Sequence, residues 1–247
     1  MKDKIVLVHI SDIHVTSQYF SSRLGENVVN EANRLNPDLI VVSGDITDNG
    51  HLHEYMEAKA FLDRFNAGRI LVVLGNHDSR NAGYMLFEEF FGTRYPSAEV
   101  GSVKVVGVDS TEPDLDDGHV GRLAYRMVEE ELRDFKGVRM VVLHHHLIPI
   151  PGTGRERNIP SDSGDFLKLL SDLKVHMVLC GHKHVPWTWK LNEMFIINAG
   201  TATTLRLKAR MPPSFNIITV TRDLITVERV NSETLEKSVL CNVKLEG

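Results

Sequence analysis

Residues 4–14, KIVLVHISDIH, are an apolar run that stops abruptly in Ser11, Asp12 and His14. Its β-branched content predicts a strand over 4–10, with the Asp12-x-His14 pair just past its end. The same grammar returns along the chain. LIVVSGD (39–45) ends in Asp45, and ILVVLGNHD (70–78) ends in Asn76, His77 and Asp78. MVVLHHH (140–146) ends in three histidines, and VHMVLCGHKH (175–184) ends in His182 and His184. Continuous apolar runs of this length suit strands covered on both faces.

Between these runs lie helical patterns. Leu24, Val28, Val29, Ala32 and Leu35 form an apolar stripe at helical spacing, closed by Asn36-Pro37. Helices are also predicted over 55–65, 82–91, 123–135 and 165–173, and a further strand over 103–108. After residue 184 the pattern changes. Segments 187–191 and 195–197, then 215–220 and 224–230, read as β-hairpins. The first two thirds therefore read as β-α-β units and the last third as a meander. That mixture suits an α/β fold of two packed sheets with helices outside. No linker marks a boundary, so residues 1–247 read as one domain.

Composition narrows the function. A formal charge of −5 over 247 residues argues against a non-specific nucleic-acid coat, which needs a positive field. Two cysteines, Cys180 and Cys241, cannot build a disulfide framework and fit a reducing compartment. The N-terminal apolar run is short for a signal segment, and no run is long enough to span a bilayer. The expectation is a cytoplasmic protein. His9, inside a strand, reads as a core histidine, and Cys180 as a buried strand thiol.

The clusters at the strand ends carry the chemistry. In open α/β sheets, ligands bind beyond the carboxyl ends of strands, so five polar sets there can converge. Alternate side chains of an extended strand end share a face, so Asp12 and His14 are expected to reach one metal together, as are His182 and His184. Glycines before Asp45, Asn76 and His182 permit sharp turns. An inventory of Asp, His and Asn suits two adjacent cations sharing a carboxylate. Such a pair holds a bridging hydroxide and clamps both oxygens of an in-line phosphoryl displacement.

In this order, D-x-H, G-D, G-N-H-D, H-H and G-H-x-H from Asp12 to His184, the chain resembles the calcineurin-like metallophosphoesterase superfamily. Within it the chain is most similar to bacterial class III cyclic-nucleotide phosphodiesterases and glycerophosphodiesterases. The resemblance implies a four-layer α-β-β-α sandwich with two mixed sheets. It implies that Asp12, His14 and His184 hold one metal, that Asn76, His144 and His182 hold the other, and that Asp45 bridges them. His145 is the alternative to His144. Manganese, iron or zinc fits the ligand mix. His77 is implied to bond the phosphate and to protonate the leaving alkoxide, with Asp78 orienting it. His119, in Asp117-Gly118-His119-Val120-Gly121, is a substrate contact by the same resemblance, and a homodimer is a partner that it allows.

Arg80, beside the G-N-H-D run, is a candidate phosphate contact, with a surface ion pair as the alternative. Residues 152–163 are a candidate substrate loop, with Arg155 and Arg157 as its cations. Arg206, Lys208 and Arg210 read as a stripe on a solvated edge strand. The expected function is hydrolysis of a small phosphodiester, a cyclic nucleotide or glycerophosphodiester, by a metal-bridging hydroxide. A phosphomonoesterase, protein phosphatase or nuclease on the same core stays open. The charge balance and the lack of a capping segment argue against a nuclease. A scaffold without catalysis would show eroded ligands, and every expected one is present.

Overall fold

The computed structural model describes residues 4–154 and 156–245. The chain runs β1 (Lys4–Ile10), α1 (Ser22–Leu35), β2 (Leu39–Val42), α2 (Leu52–Leu62), β3 (Ile70–Val72), a short 3₁₀ turn (Arg80–Ala82) and α3 (Gly83–Phe91). It continues through β4 (Ser97–Val100), β5 (Val103–Gly107), α4 (Gly121–Leu132), β6 (Val138–Val142), α5 (Ser163–Asp172) and β7 (Met177–Cys180). It ends with β8 (Trp187–Leu191), β9 (Met194–Asn198), β10 (Ser214–Thr221), β11 (Leu224–Asn231) and β12 (Lys237–Lys244).

The strands form two six-stranded sheets, ordered β12-β11-β10-β1-β2-β3 and β4-β5-β6-β7-β9-β8. Each has a parallel block: β1-β2-β3 on one side of the first sheet, β5-β6-β7-β9 in the middle of the second. Antiparallel strands complete both sheets. The layers follow from strand alternation. Leu7, Leu39, Val41, Val105, Met140, Val142, Met177 and Leu179 point between the sheets into one core. Val8, Ile10, Ile40 and Val42 point outward against Val28, Ala32, Tyr55 and Phe87 of α1, α2 and α3. Val106, Val141, Val178 and Ile196 face Ala124, Val128, Phe166 and Leu170 of α4 and α5. This is the expected α-β-β-α sandwich. Each fully buried large apolar side chain stabilises it by roughly 1.5–3 kcal/mol.

The hairpin reading of the last third holds, with a division the sequence did not show. β8 and β9 finish the second sheet, and the chain then crosses to add β10, β11 and β12 to the first. The edge strands β4 and β12 were not anticipated, because SAEV and KSVLCNVK are short or mixed in polarity. Residues 205–210 are not the expected edge strand. They form a loop between β9 and β10, and Ala209 and Arg210 have left-handed φ values of 50° and 56°. Among the described residues no helix is long and apolar enough to cross a membrane.

The parallel strands β1, β2, β3, β6 and β7 set their carboxyl ends side by side, so the turns that follow them meet at one rim.

Candidate metal centre

Strand pleating does not aim the ligands. β1 ends at Ile10, and Asp12 and His14 both sit in the left-handed region, at φ 52° and 46°. Asp45, His182 and His184 do the same, at 53°, 74° and 56°. The convergence expected from alternation is achieved instead by turns, each holding a non-glycine residue in a sparsely populated conformation. Such backbone persists only where its surroundings impose it.

The surroundings are backbone clamps. Asp12 N–H donates to the Gly44 carbonyl at 3.1 Å and His14 N–H to the Asp45 carbonyl at 2.9 Å. Thr201 Oγ1 donates to the Asp12 carbonyl at 2.7 Å and Thr203 Oγ1 to the Ile13 carbonyl at 2.6 Å. Gly75 is needed for close approach: a Cβ there would lie 2.2 Å from both the nitrogen and Oδ1 of Asp45.

The side chains assemble two adjoining sets. In the first, His184 Nε2 lies 3.2 Å from Asp12 Oδ1 and 3.3 Å from His14 Nε2, which is 3.6 Å from Asp45 Oδ2. In the second, Asn76 Oδ1 lies 2.9 Å from both His144 Nε2 and His182 Nδ1, and these nitrogens are 3.2 Å apart. His144 Nε2 is 3.3 Å from the same Asp45 Oδ2. That one carboxylate oxygen thus faces both sets.

Three ligand candidates have the other ring nitrogen occupied. Nδ1 of His14, His144 and His184 faces the carbonyls of Thr47 (3.1 Å), Ser43 (2.8 Å) and Arg206 (2.8 Å). Carbonyls only accept, so Nδ1 carries the proton and Nε2 presents a lone pair. Lone pairs of His14 and His184 then point at one another, and Asp12 Oδ1 is buried with no hydrogen-bond partner. A cation satisfies all of these at once. The set fits two metal ions, and the donor chemistry, imidazole with carboxylate and amide oxygen, suits first-row transition metals.

Electrostatics agree. Burial raises Asp45, but His144, His77 and His14 outweigh it and hold the carboxyl well below its usual range. Burial also opposes the charge on His144, yet Asp45 and Asp12 lift it to about 9. The buried carboxylates draw a proton toward His144 Nε2, the same lone pair that a cation takes, so the two compete. Burial first, then His145 and His144, press His182 well below 6.5.

His145 is not in the cage. Its Nδ1 lies 2.9 Å from Ser110 Oγ and its Nε2 3.2 Å from the Asp116 carbonyl, and burial lowers it to about 3. His146 bonds Glu156 Oε2 at 2.8 Å and stacks on the His182 ring with an interplanar angle of 14°. His9 is the core residue expected, buried and bonded to Ser43 Oγ at 2.8 Å. Cys180 is a buried free thiol.

His77 lines the cleft with Asp45, Asn76, His182 and His184. Its N–H donates to Asp45 Oδ1 at 2.9 Å, and its Nδ1 meets the Asp48 carbonyl at 2.7 Å, leaving Nε2 for the cleft. The expectation that Asp78 orients His77 is corrected. Asp78 faces the other way, accepting from Thr47 N–H and Oγ1 at 2.8 Å each and from Gly75 N–H at 2.9 Å. It staples the turn after β2 to the turn after β3, and Tyr55 Oη of α2 donates to its carbonyl at 2.8 Å. Burial and the Asp45 charge push its carboxyl up to about 6.

Arg80 takes the ion-pair alternative, with Nη2 2.7 Å from Asp116 Oδ1 and Nη1 3.0 Å from His77 Nδ1. His119 is not brought to the cleft. Its half-exposed ring contacts Ser161 Oγ at 3.0 Å and the Asp162 carboxylate at 3.5 Å. Arg157 is exposed and off the cleft, and Arg155 lies outside the described residues. The 152–163 segment reaches the cleft through Asn158, and 205–210 through Arg206 and Lys208.

Sequence reasoning missed Asp116, Asn158 and Lys183, which also line the cleft. Asp116 Oδ1 accepts from Asn76 Nδ2 at 2.9 Å, which turns Asn76 Oδ1 toward the histidines. Lys183 had a legible signal, its place between His182 and His184. Asp116, on a loop far from any strand end, had none.

Comparison with known proteins agrees with this geometry. A family model described as calcineurin-like phosphoesterase matches residues 5–186. A Rhodococcus erythropolis protein named "Probable cyclic nucleotide phosphodiesterase" is 28% identical over 206 residues, 76% of this chain and 67% of that one. An Enterobacter lignolyticus glycerophosphodiester phosphodiesterase is 28% identical over 205 residues, 73% and 71% of the two chains. A purple acid phosphatase from yellow lupin (Lupinus luteus) seeds shares the fold, with a TM-score of 0.77 at 14% identity. That alignment covers 99% of this chain but 54% of the lupin one. With the match running from the first strand past the last ligand turn, the chain belongs to the calcineurin-like phosphoesterase family.

Proposed function

We propose that this protein hydrolyses a small phosphodiester, of the cyclic-nucleotide or glycerophosphodiester kind, at a dinuclear centre of manganese, iron or zinc. Asp12, His14 and His184 would hold one ion and Asn76, His144 and His182 the other, with Asp45 shared. The observation that carries the reading is Asp45 Oδ2, which lies 3.6 Å from His14 Nε2 and 3.3 Å from His144 Nε2. Bound there, a pair of cations supplies an acidified water and neutralises charge on the phosphoryl oxygens.

The chain's own groups do the rest. His77 Nε2 faces the substrate space, bonds a phosphoryl oxygen and, when protonated, donates to the leaving alkoxide. The Asp48 carbonyl fixes the ring by holding Nδ1–H. Asp116 holds the Asn76 amide so that its oxygen faces inward. Asp78 acts through the backbone, keeping the two ligand turns together. Diesters are favoured over monoesters by the phosphodiesterase names of its relatives.

The test is bis(p-nitrophenyl) phosphate turnover by folded protein titrated with manganese, iron and zinc. Release of nitrophenol with at least one metal is expected, and none with any would end the reading. The free thiols support a cytoplasmic location. The open edge strand β12 supports a homodimer, which sedimentation equilibrium would detect.

A further inference from the structure

Four basic side chains stand around the cleft, and they are not equivalent. Arg80 is paired with Asp116 at 2.7 Å. Lys183 is buried, 3.3 Å from the Glu156 carboxylate and 3.2 Å from Asn158 Oδ1. Arg206 and Lys208 line the same cleft, and among the described residues neither has an ion-pair partner within 4 Å, although Arg206 is near enough to Asp48 to help lower its carboxyl.

Their segment is fixed to the centre. The Arg206 carbonyl accepts from Nδ1 of the ligand His184 at 2.8 Å, and Leu205 N–H donates to the Tyr19 carbonyl at 2.9 Å. Leu205 and Leu207 are exposed, while Lys208 is half-buried. Burial lowers the Lys208 ammonium; Asp12 opposes this, and the charges of Lys183 and Arg206 add to it. Lys208 therefore shares its space with the other cations.

Keeping a partly desolvated cation without an anion costs free energy. The cost is recovered only if an anion arrives with a ligand. The oxygens of the scissile phosphoryl group already have the metal cage and His77. That cost falls on half-buried Lys208, with Arg206 beside it exposed to solvent; a singly charged diester held by the cage gives neither a direct ion pair, and a diester bearing a quaternary ammonium meets like charge there.

We infer that Arg206 and Lys208 form a second anion subsite, and that the phosphodiester taken by this protein carries a further phosphoryl group on one of its alcohol moieties. The inference rests on the phosphodiesterase reading and names its substrate class. It makes Arg206 and Lys208 specificity residues, not parts of the hydrolytic machinery.

Two chromogenic diesters that differ only in remote charge test it: thymidine 5′-(p-nitrophenyl phosphate), and the same ester carrying a 3′-phosphate. With metal-loaded protein the 3′-phosphate is expected to raise kcat/KM at least about tenfold, mostly through KM. In R206Q/K208Q, checked by thermal melting and metal content, that ratio should fall to within about twofold. A wild-type ratio near one overturns the subsite, and so does a ratio that the double variant leaves unchanged. Hydrolysis of bis(p-nitrophenyl) phosphate separates the two ideas. If it proceeds without a 3′-phosphate preference, the subsite fails alone. If wild-type protein does not hydrolyse it, the phosphodiesterase reading fails and the subsite with it.

Discussion

The turns that carry the cage and the loops that wall it are built on opposite terms. Asp12, His14, Asp45 and His144 are at most 1% exposed, and three of them hold left-handed backbone under hydrogen-bonded clamps. Asp116 and Arg206 come from exposed loops, and Asp116 leaves 60% of its side chain in solvent. Strain and burial are concentrated where donor positions must be exact to a fraction of an ångström. Adaptable side chains are left where a substrate must be admitted.

That contrast can be broken most sharply at its centre. Asp45→Asn should abolish metal occupancy and turnover together, a loss on the order of 10³-fold, beyond the roughly 10–100-fold typical of changes to groups that merely support ligands. Metal analysis beside the diester assay checks it, and near wild-type turnover would remove Asp45 from its bridging place. Gly75→Ala probes the backbone terms. A methyl 2.2 Å from the Asp45 nitrogen cannot be accommodated without moving the turn, so unfolding free energy should fall by about 3 kcal/mol. A urea titration that shows no change would mean the two turns are not in contact.

The wall should respond more mildly. Asp116→Ala frees the Asn76 amide to rotate, and metal affinity at that half of the cage should drop roughly 10–100-fold with the fold intact. Calorimetric metal titration reads this, and unchanged affinity for both ions would make Asp116 a bystander. The smallest effect is expected far from the centre, where Glu31 of α1 ties Arg34 and Lys237 of β12 together. The Arg34 hydrogen bond, against opposing burial, and then Lys237 lower Glu31 from 4.5 to about 2. The folded state therefore prefers the ionised form. The stability it contributes is present above pH 4.5 and is lost as pH falls toward about 2. Glu31→Gln should cost about 1 kcal/mol at pH 7, with the gap to wild type closing by about pH 2. A gap that stays constant with pH would show that the pair is not electrostatic.

Legibility in the sequence followed the physics of each part. Buried strands such as β2 and β7 were readable because a strand covered on both faces must be apolar throughout. The amphipathic stripe of α1 was readable because one face meets the β1–β2 surface. The edges β4 and β12 were not, because SAEV and KSVLCNVK are short or mixed in polarity, which a half-solvated edge tolerates. Among site residues the ligands were readable because only Asp, Asn and His offer the needed donors just past a strand end. The role expected for Asp78 was wrong because adjacency to His77 in the chain says nothing of which way a turn directs two neighbouring side chains. His119 was expected from the resemblance of its loop, but that loop turns its ring to Ser161 and Asp162, and Asp116, three residues before it, lines the cleft instead.

By itself the sequence determined the two-sheet layering and the identity of the donor residues, because apolar periodicity and ligand chemistry are local demands on residue type. Only the tertiary structure decided which nitrogen of each imidazole faces inward, which acid orients Asn76 and which cleft cations lack an ion pair among the described residues. Those outcomes depend on distances between loops far apart in the chain, and no local rule of composition encodes a distance.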